Sequence, residues 1–321
     1  MAGVVSLFQN PRYCVLLVAG ALSLAWPAPL PAHESPEKLI NRYTVLMSEH
    51  GPSPLLLAQR AIEYRALGEF AKAAADLERA LKLKPDFLSG QVELGRVYLA
   101  LGKTTQALAA INRALEMVPA GEDRSTLLMT RAEAHLAAGD YDQALADSER
   151  AFQRSDINDL DWFILRGQLQ ARLGRWDAAI SGLKEGLDRT GSAVLEAQWI
   201  EALIDAGRCG EAMEKIEPLL RESRWQSSWR LRRARARLGL GETNAATADL
   251  REAIMEINSR ISADRPDITL LVDRGLAHAL LGDTTAAEKD LQTARRLGAE
   301  GWLLFRLEST LAKWRKASRL P

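Results

Sequence analysis

From about residue 54 to residue 300 the apolar positions recur at helical spacing and break at regular intervals. Leu57, Ala61 and Tyr64 mark one helical face; after an interruption at Gly68, Ala73, Leu77, Ala80 and Leu81 mark another. Apolar residues three and four apart on both sides of a glycine predict two amphipathic helices joined by a tight turn. The turn lies in LGEFAKA at 67–73, and its glycine is matched by Gly102, Gly139, Gly174, Gly207, Gly241 and Gly282, at spacings of 34, 37, 35, 33, 34 and 41 residues. Seven helix pairs are therefore expected over 54–300.

The register of small residues is tighter than the spacing. Alanine stands five residues after each glycine: Ala73, Ala107, Ala144, Ala179, Ala212, Ala246 and Ala287. Six copies carry a small residue seven before the glycine (Ala61, Gly95, Ala132, Gly167, Ala234, Gly275), and six carry one twelve after it (Ala80, Ala114, Ala151, Gly186, Ala253, Ala294). Small side chains at fixed positions allow helix axes to cross closely at native packing density. One pair cannot bury its own apolar face but stacked pairs can, which predicts a stack whose stability is a sum over neighbour contacts.

The spacing near 34, the small residue of the first helix, the turn glycine, the alanines of the second helix, and Pro85 and Pro119, each seventeen residues past a turn glycine, together resemble the tetratricopeptide repeat. The pattern is clean around Gly68, Gly102 and Gly139 and weakest around Gly207, where Ile200 and Leu219 replace small residues. The resemblance implies an all-α, right-handed superhelical solenoid of about seven helix-turn-helix repeats with capping helices at both ends. It further implies a concave groove lined by the first helix of each pair, which binds a protein or peptide. On that register the residues six before the glycines, Arg96, Glu133, Gln168, Glu201 and Arg235, face the groove. This row is mixed in sign and lacks the Lys and Asn clamp with which some family members hold a C-terminal carboxylate. Residues 36–49 and 302–318 read as amphipathic helices that cover the two ends, giving an N-terminal capping segment at 33–53, repeats at 54–300 and a C-terminal capping helix at 301–321.

Two charged positions vary together. Arginine eight before the glycine accompanies aspartate eight after it in Arg60 and Asp76, Arg131 and Asp147, Arg233 and Asp249, and Arg274 and Asp290. Where Ala110 or Lys215 replaces the aspartate, the arginine becomes Leu94 or Trp199; Arg166 with Gly182 is the exception. These four pairs are expected to be partly buried salt bridges within each repeat, structural rather than catalytic.

Composition adds boundaries. Lys plus Arg equals Asp plus Glu at 42 each, so no overall field draws the molecule to nucleic acid or an anionic membrane. Residues 1–32 read as a secretory signal: Arg12 is its only charge, an apolar run extends from Tyr13 to Trp26, and Pro27, Pro29 and Pro31 lead to a cleavage site after Ala32. The run is shorter than the roughly 20 residues of a bilayer span, so the mature chain is expected to be exported, periplasmic or extracellular, with no stable membrane insertion. Cys14 would leave with the signal, leaving Cys209 as the only thiol, at an apolar repeat position that predicts burial.

No Walker loop, dinucleotide glycine fingerprint, HExxH or CxxC occurs, and four histidines form no ligand spacing, so neither an enzyme nor a cofactor is expected. His135 and His278 stand four before their turn glycines, where other repeats have Tyr64 and Tyr98, and read as core side chains. Cleavage after Ala32 would make His33 the first residue, a weak candidate for metal through its amine and imidazole. The strongest local charge lies at 221–239, seven arginines interleaved with Trp225 and Trp229, in which Arg232 and Arg235 share a helical face. A solvated face is the plain reading of that run; an acidic peptide or carboxylate is the ligand it would suit. The expected function is an extracytoplasmic protein-binding scaffold with no chemistry of its own. A ligand or metal carrier using His33 or the arginines, and an accessory subunit of a secreted enzyme, stand as alternatives.

Overall fold

The computed structural model describes residues 34–317 except 120–121, 154–157, 263, 265 and 300. The leader expected at 1–32, its expected cleavage site and His33 lie outside the described residues. Every regular element among the described residues is an α-helix. Helix α1 (Pro36–His50) is followed by α2 (Pro54–Ala66) with α3 (Phe70–Leu83), α4 (Leu88–Ala100) with α5 (Thr104–Met117), α6 (Ser125–Ala138) with α7 (Tyr141–Ala151), and α8 (Leu160–Arg172) with α9 (Trp176–Thr190). The pairs continue with α10 (Ala193–Asp205) and α11 (Cys209–Glu222), α12 (Ser227–Gly239) and α13 (Thr243–Arg260), α14 (Ile268–Leu280) and α15 (Thr284–Arg296), and the chain's last helix is α16 (Gly301–Ala317). The fold is an all-α solenoid of helix-turn-helix repeats. Two compact units divide it, the first ending at Gly182 within α9 and the second beginning at Leu183.

Each pair turns at its glycine in the same way. Gly68 has φ 74°, in the left-handed region that only glycine enters without cost, and the turn glycines of the other six pairs share it. The Glu69 N–H then donates to the Tyr64 carbonyl at 2.8 Å and the Gly68 N–H to the Arg65 carbonyl at 3.0 Å, which satisfies carbonyls that the end of α2 would leave bare. The same reverse bond runs from Lys103, Asp140, Arg175, Arg208, Glu242 and Asp283 to Tyr98, His135, Gln170, Leu203, Arg237 and His278. One turn geometry, repeated, sets one relation between the helices it joins.

The alanines five residues after the glycines are all fully buried. In the first unit Ala58, Ala61, Ala73 and Leu77 pack with Leu94, Val97 and Ala107 of the next pair, and Met129, Ala144 and Leu145 pack with Leu165 and Leu169. In the second unit Leu231, Ala246 and Leu250 pack with Leu276 and Ala277, and Ala287 and Leu291 pack with Leu304, Leu307 and Leu311 of α16. Each of these cores is thus completed by the helix or helix pair that follows. At Gly95 the seam is tight, because a methyl group there would meet the Ile111 side chain at 2.6 Å. Trp314 anchors α16 by donating from its indole nitrogen to the Ala279 carbonyl at 2.7 Å.

Gly102 has φ 69° and nothing within 4 Å of the position a Cβ would take. Gly102→Ala should therefore lower stability by about 1 kcal/mol through the backbone alone. In urea unfolding this appears as a lower midpoint with an unchanged slope; an unchanged midpoint would show that the left-handed turn is not required there.

Candidate partner-binding surface

Arginine and aspartate of the four co-varying copies meet as two-pronged ion pairs. Arg131 Nε donates to Asp147 Oδ2 at 2.6 Å and its Nη2 to Oδ1 at 2.7 Å. Arg60 holds Asp76 at 2.7 Å through both nitrogens, Arg233 holds Asp249 at 2.9 and 2.6 Å, and Arg274 holds Asp290 at 2.9 and 2.7 Å. All four aspartates are buried. Hydrogen bonds to these aspartates push the Arg60, Arg233 and Arg274 guanidiniums above their ordinary pKa. The third prong, Nη1, was not legible in the pairing and reaches the helix that precedes the repeat. It donates to Thr44 on α1 at 2.9 Å, Asn112 on α5 at 2.9 Å, Glu217 on α11 at 3.2 Å and Asn258 on α13 at 2.7 Å. Each guanidinium therefore brackets three helices, and its donors are consumed in holding the stack.

The other copies fill the same place differently. Leu94 and Ala110 are both buried. Lys215 Nζ stands 6.0 Å from the Trp199 ring centre, a cation against an aromatic face where other copies set a cation against a carboxylate. Arg166 lies over Gly182 and stacks on Phe152, 3.8 Å from its ring centre.

In the first unit the row six before the glycines places Arg96 on α4, Glu133 on α6 and Gln168 on α8, all half-buried. Glu93 is gripped from both sides, by Arg96 Nη1 at 2.6 Å and Arg65 Nε at 3.2 Å. Glu133 has no ion-pair partner among the described residues. Burial pushes its carboxyl up to about 7, helped by the charges of Asp161 and Asp159 and opposed by Arg96. Asp161 is itself pushed up to about 6 by lost hydration and by Asp159. This face carries more carboxylate than it neutralises.

In the second unit the corresponding residues, Glu201 on α10 and Arg235 on α12, bond to each other. Glu201 is 6% exposed and also forms an ion pair with Arg232, whose Nε lies 3.0 Å away. Arg235 pairs with Asp205 as well, and Arg306 on α16 reaches Asp205 at 2.8 Å and Glu201 at 3.4 Å. Burial alone would push the Glu201 carboxyl up; the charges of Arg235, Arg306 and Arg232 outweigh it and hold the group well below the usual carboxylate range. Half-buried Asp273 on α14 faces the same cluster, pushed up to about 6 by burial, against the pull of Arg232. Asp205 and Asp273 were findable, the first one turn from Glu201 and the second at the register of Arg232. Arg306 was not, because α16 has no turn glycine to align it.

The remaining arginines of 221–239 disperse. Arg230 pairs with Glu252 and Glu256 at 3.0 and 3.5 Å, Arg237 bonds Asp249 at 2.7 Å, and Arg224 and Arg260 flank the Trp225 ring at 5.1 and 4.7 Å. The run is a set of separate local contacts instead of one basic stripe. His135 and His278 are half-buried beside the turn aspartates Asp140 and Asp283, at 3.7 and 3.4 Å. Cys209 is buried against Gly239, where no methyl would fit, and burial raises its thiol. Among the described residues no group of three His, Cys, Asp or Glu is placed to hold a metal, and no helix is long and apolar enough to cross a membrane.

A family model described as tetratricopeptide repeat matches residues 59–122 and 129–193. The chain is 30% identical over 86 residues to the small glutamine-rich tetratricopeptide repeat-containing protein 2 of Saccharomyces cerevisiae, covering 27% of this chain and 25% of that protein. It is 32% identical over 68 residues to the Hsp70-Hsp90 organizing protein of Triticum aestivum, covering 21% of this chain and 12% of that protein. The chain thus spans a quarter or less of these relatives. A tetratricopeptide repeat protein of known structure from Parabacteroides merdae is similar with a TM-score of 0.59 and 19% identity, over 85% of this chain and 99% of that one. At that identity the similarity is one of fold.

Because the folded chain keeps a proton on Glu133 up to about pH 7 that the unfolded chain releases near its ordinary value of 4.5, stability attributable to this group falls as pH rises through that window. Glu133→Gln should raise stability by about 1–2 kcal/mol at pH 8 and leave it unchanged below the ordinary carboxylate pKa. Urea unfolding of both forms at pH 4 and pH 8 reads this; equal stability at pH 8 would contradict it.

Proposed function

We propose that this chain, which belongs to the tetratricopeptide repeat family, is a protein- or peptide-binding scaffold that works outside the cytoplasm and contributes no chemistry of its own. Repeats of this family generally serve as non-catalytic scaffolds for protein–protein interaction. The observation that carries the reading to particular residues is Glu133, a half-buried carboxylate without an ion-pair partner among the described residues, between Arg96 and Gln168 on successive first helices. A group kept at a cost in folding energy on a shared face is better accounted for by a partner than by the stack. Export is supported by the apolar run from Tyr13 to Trp26 and by Pro27, Pro29 and Pro31 leading to Ala32.

The acidic-partner expectation was tied to Arg232 and Arg235, whose guanidiniums are engaged by Glu201 and Asp205. A carrier role for the arginine run loses support for the same reason. The surplus of carboxylate at Glu133 and Asp161 favours a partner that presents basic groups.

Photo-crosslinking side chains placed singly at 96, 133 and 168 should capture one and the same protein in the chain's own compartment, identified by mass spectrometry. The exposed second-helix positions Glu78, Arg113 and Glu149 should not capture it. Capture from the second-helix positions alone would place the binding face elsewhere and overturn the assignment.

A further inference from the structure

Helix α16 packs on α14 and α15, and among the described residues its backbone does not approach α10 or α12; its Arg306 side chain nevertheless reaches α10. Only side chains span from α16 to α10, and they converge on two carboxylates 101 and 105 residues earlier in the sequence, Asp205 at 2.8 Å and Glu201 at 3.4 Å. Arg232 and Arg235 are tucked against Glu201, with 19% and 11% of their side chains exposed, whereas Arg306 is the outermost member of the cluster at 38%.

The charges are uneven once Arg306 is set aside. Glu201, Asp205 and Asp273 face Arg232 and Arg235, so the cluster without its third arginine carries an excess of negative charge inside a partly dehydrated groove. Such a site selects a planar, bidentate cation, because guanidinium matches paired carboxylate oxygens and is weakly hydrated. Arg306 is the most exposed arginine of the cluster, and its guanidinium, once displaced, returns to water.

We propose that the first-helix face of the second unit is a binding site for a basic side chain of the partner, and that Arg306 of α16 occupies it in cis as a stand-in. Helix α16 is then an intramolecular competitor: the partner's arginine or lysine takes the place of Arg306 on Asp205 and Glu201, and α16 loosens from the groove. This rests on the binding role proposed above and assigns the partner's chemistry; crosslinking at 96, 133 and 168 reports on that role without involving α16, so the two can fail separately.

The test uses the mature full chain and a fluorescein-labelled oligoarginine peptide, with an oligoglutamate peptide as control, read by anisotropy at low salt. Arg306→Ala should bind oligoarginine about tenfold tighter than the unaltered chain, by removing the internal competitor. Adding Asp205→Asn to that variant should abolish the gain, and neither form should gain affinity for oligoglutamate. Amide exchange across α16 should rise in Arg306→Ala and, in the unaltered chain, on addition of oligoarginine. Arg306→Gln, which keeps length and polarity, guards against loss of the fold and should behave as Arg306→Ala does. No gain in affinity, a gain that survives Asp205→Asn, or unchanged exchange in α16 when peptide binds would each overturn the proposal.

Discussion

The structure depends on a guanidinium with three assignments. In four repeats an arginine of the first helix holds a buried aspartate of the second with two nitrogens and a polar group on the preceding helix with the third. Apolar contacts between helices of alanine and glycine are close but undirected, and a helix that slid by one turn would still find small residues. The bidentate pair removes that freedom, since a carboxylate displaced by a turn leaves a charge stranded in the core. The third prong extends the same restraint from within a repeat to between repeats. Turn glycine, alanine seam and guanidinium bracket thus act on successive scales of one geometry.

Much of this was legible because it repeats. Seven glycines and seven alanines at constant offset give the helix boundaries, and the loss of arginine together with aspartate at Leu94 and Ala110 marks them as partners without any structure. What was not legible is what does not repeat in kind. The third prong meets a threonine, two asparagines and a glutamate, residue types with nothing in common but an oxygen. The pairing of Trp199 with Lys215 keeps a cation in a bracket but changes its acceptor from carboxylate to aromatic ring. Arg306 falls outside the alignment altogether, so no offset connects it to Asp205.

The groove register inherited from the family resemblance put five residues in one class, and the structure separates them by chemistry. Glu201 and Arg235 neutralise each other with help from Arg232 and Arg306, so in the second unit the face is closed electrostatically. Arg96 is shared with Glu93, which leaves Glu133 unanswered in the first unit. Sequence alone could not distinguish these cases, because the sign of a residue says nothing about whether a neighbour on another helix has already cancelled it. The arginine run at 221–239 teaches the same lesson: seven cations in nineteen residues make no single basic surface when five of them pair with carboxylates on α10, α11 and α13.

The central claim, that the brackets hold the stack in register, is tested most directly by a double-mutant cycle on Arg131 and Asp147 in urea unfolding. The account predicts that Asp147→Leu and Arg131→Met each cost about 3 kcal/mol or more, and that the double variant costs much less than their sum because no charge is left stranded. Single losses below about 0.5 kcal/mol that simply add would mean the pair behaves as a surface ion pair and would contradict the account.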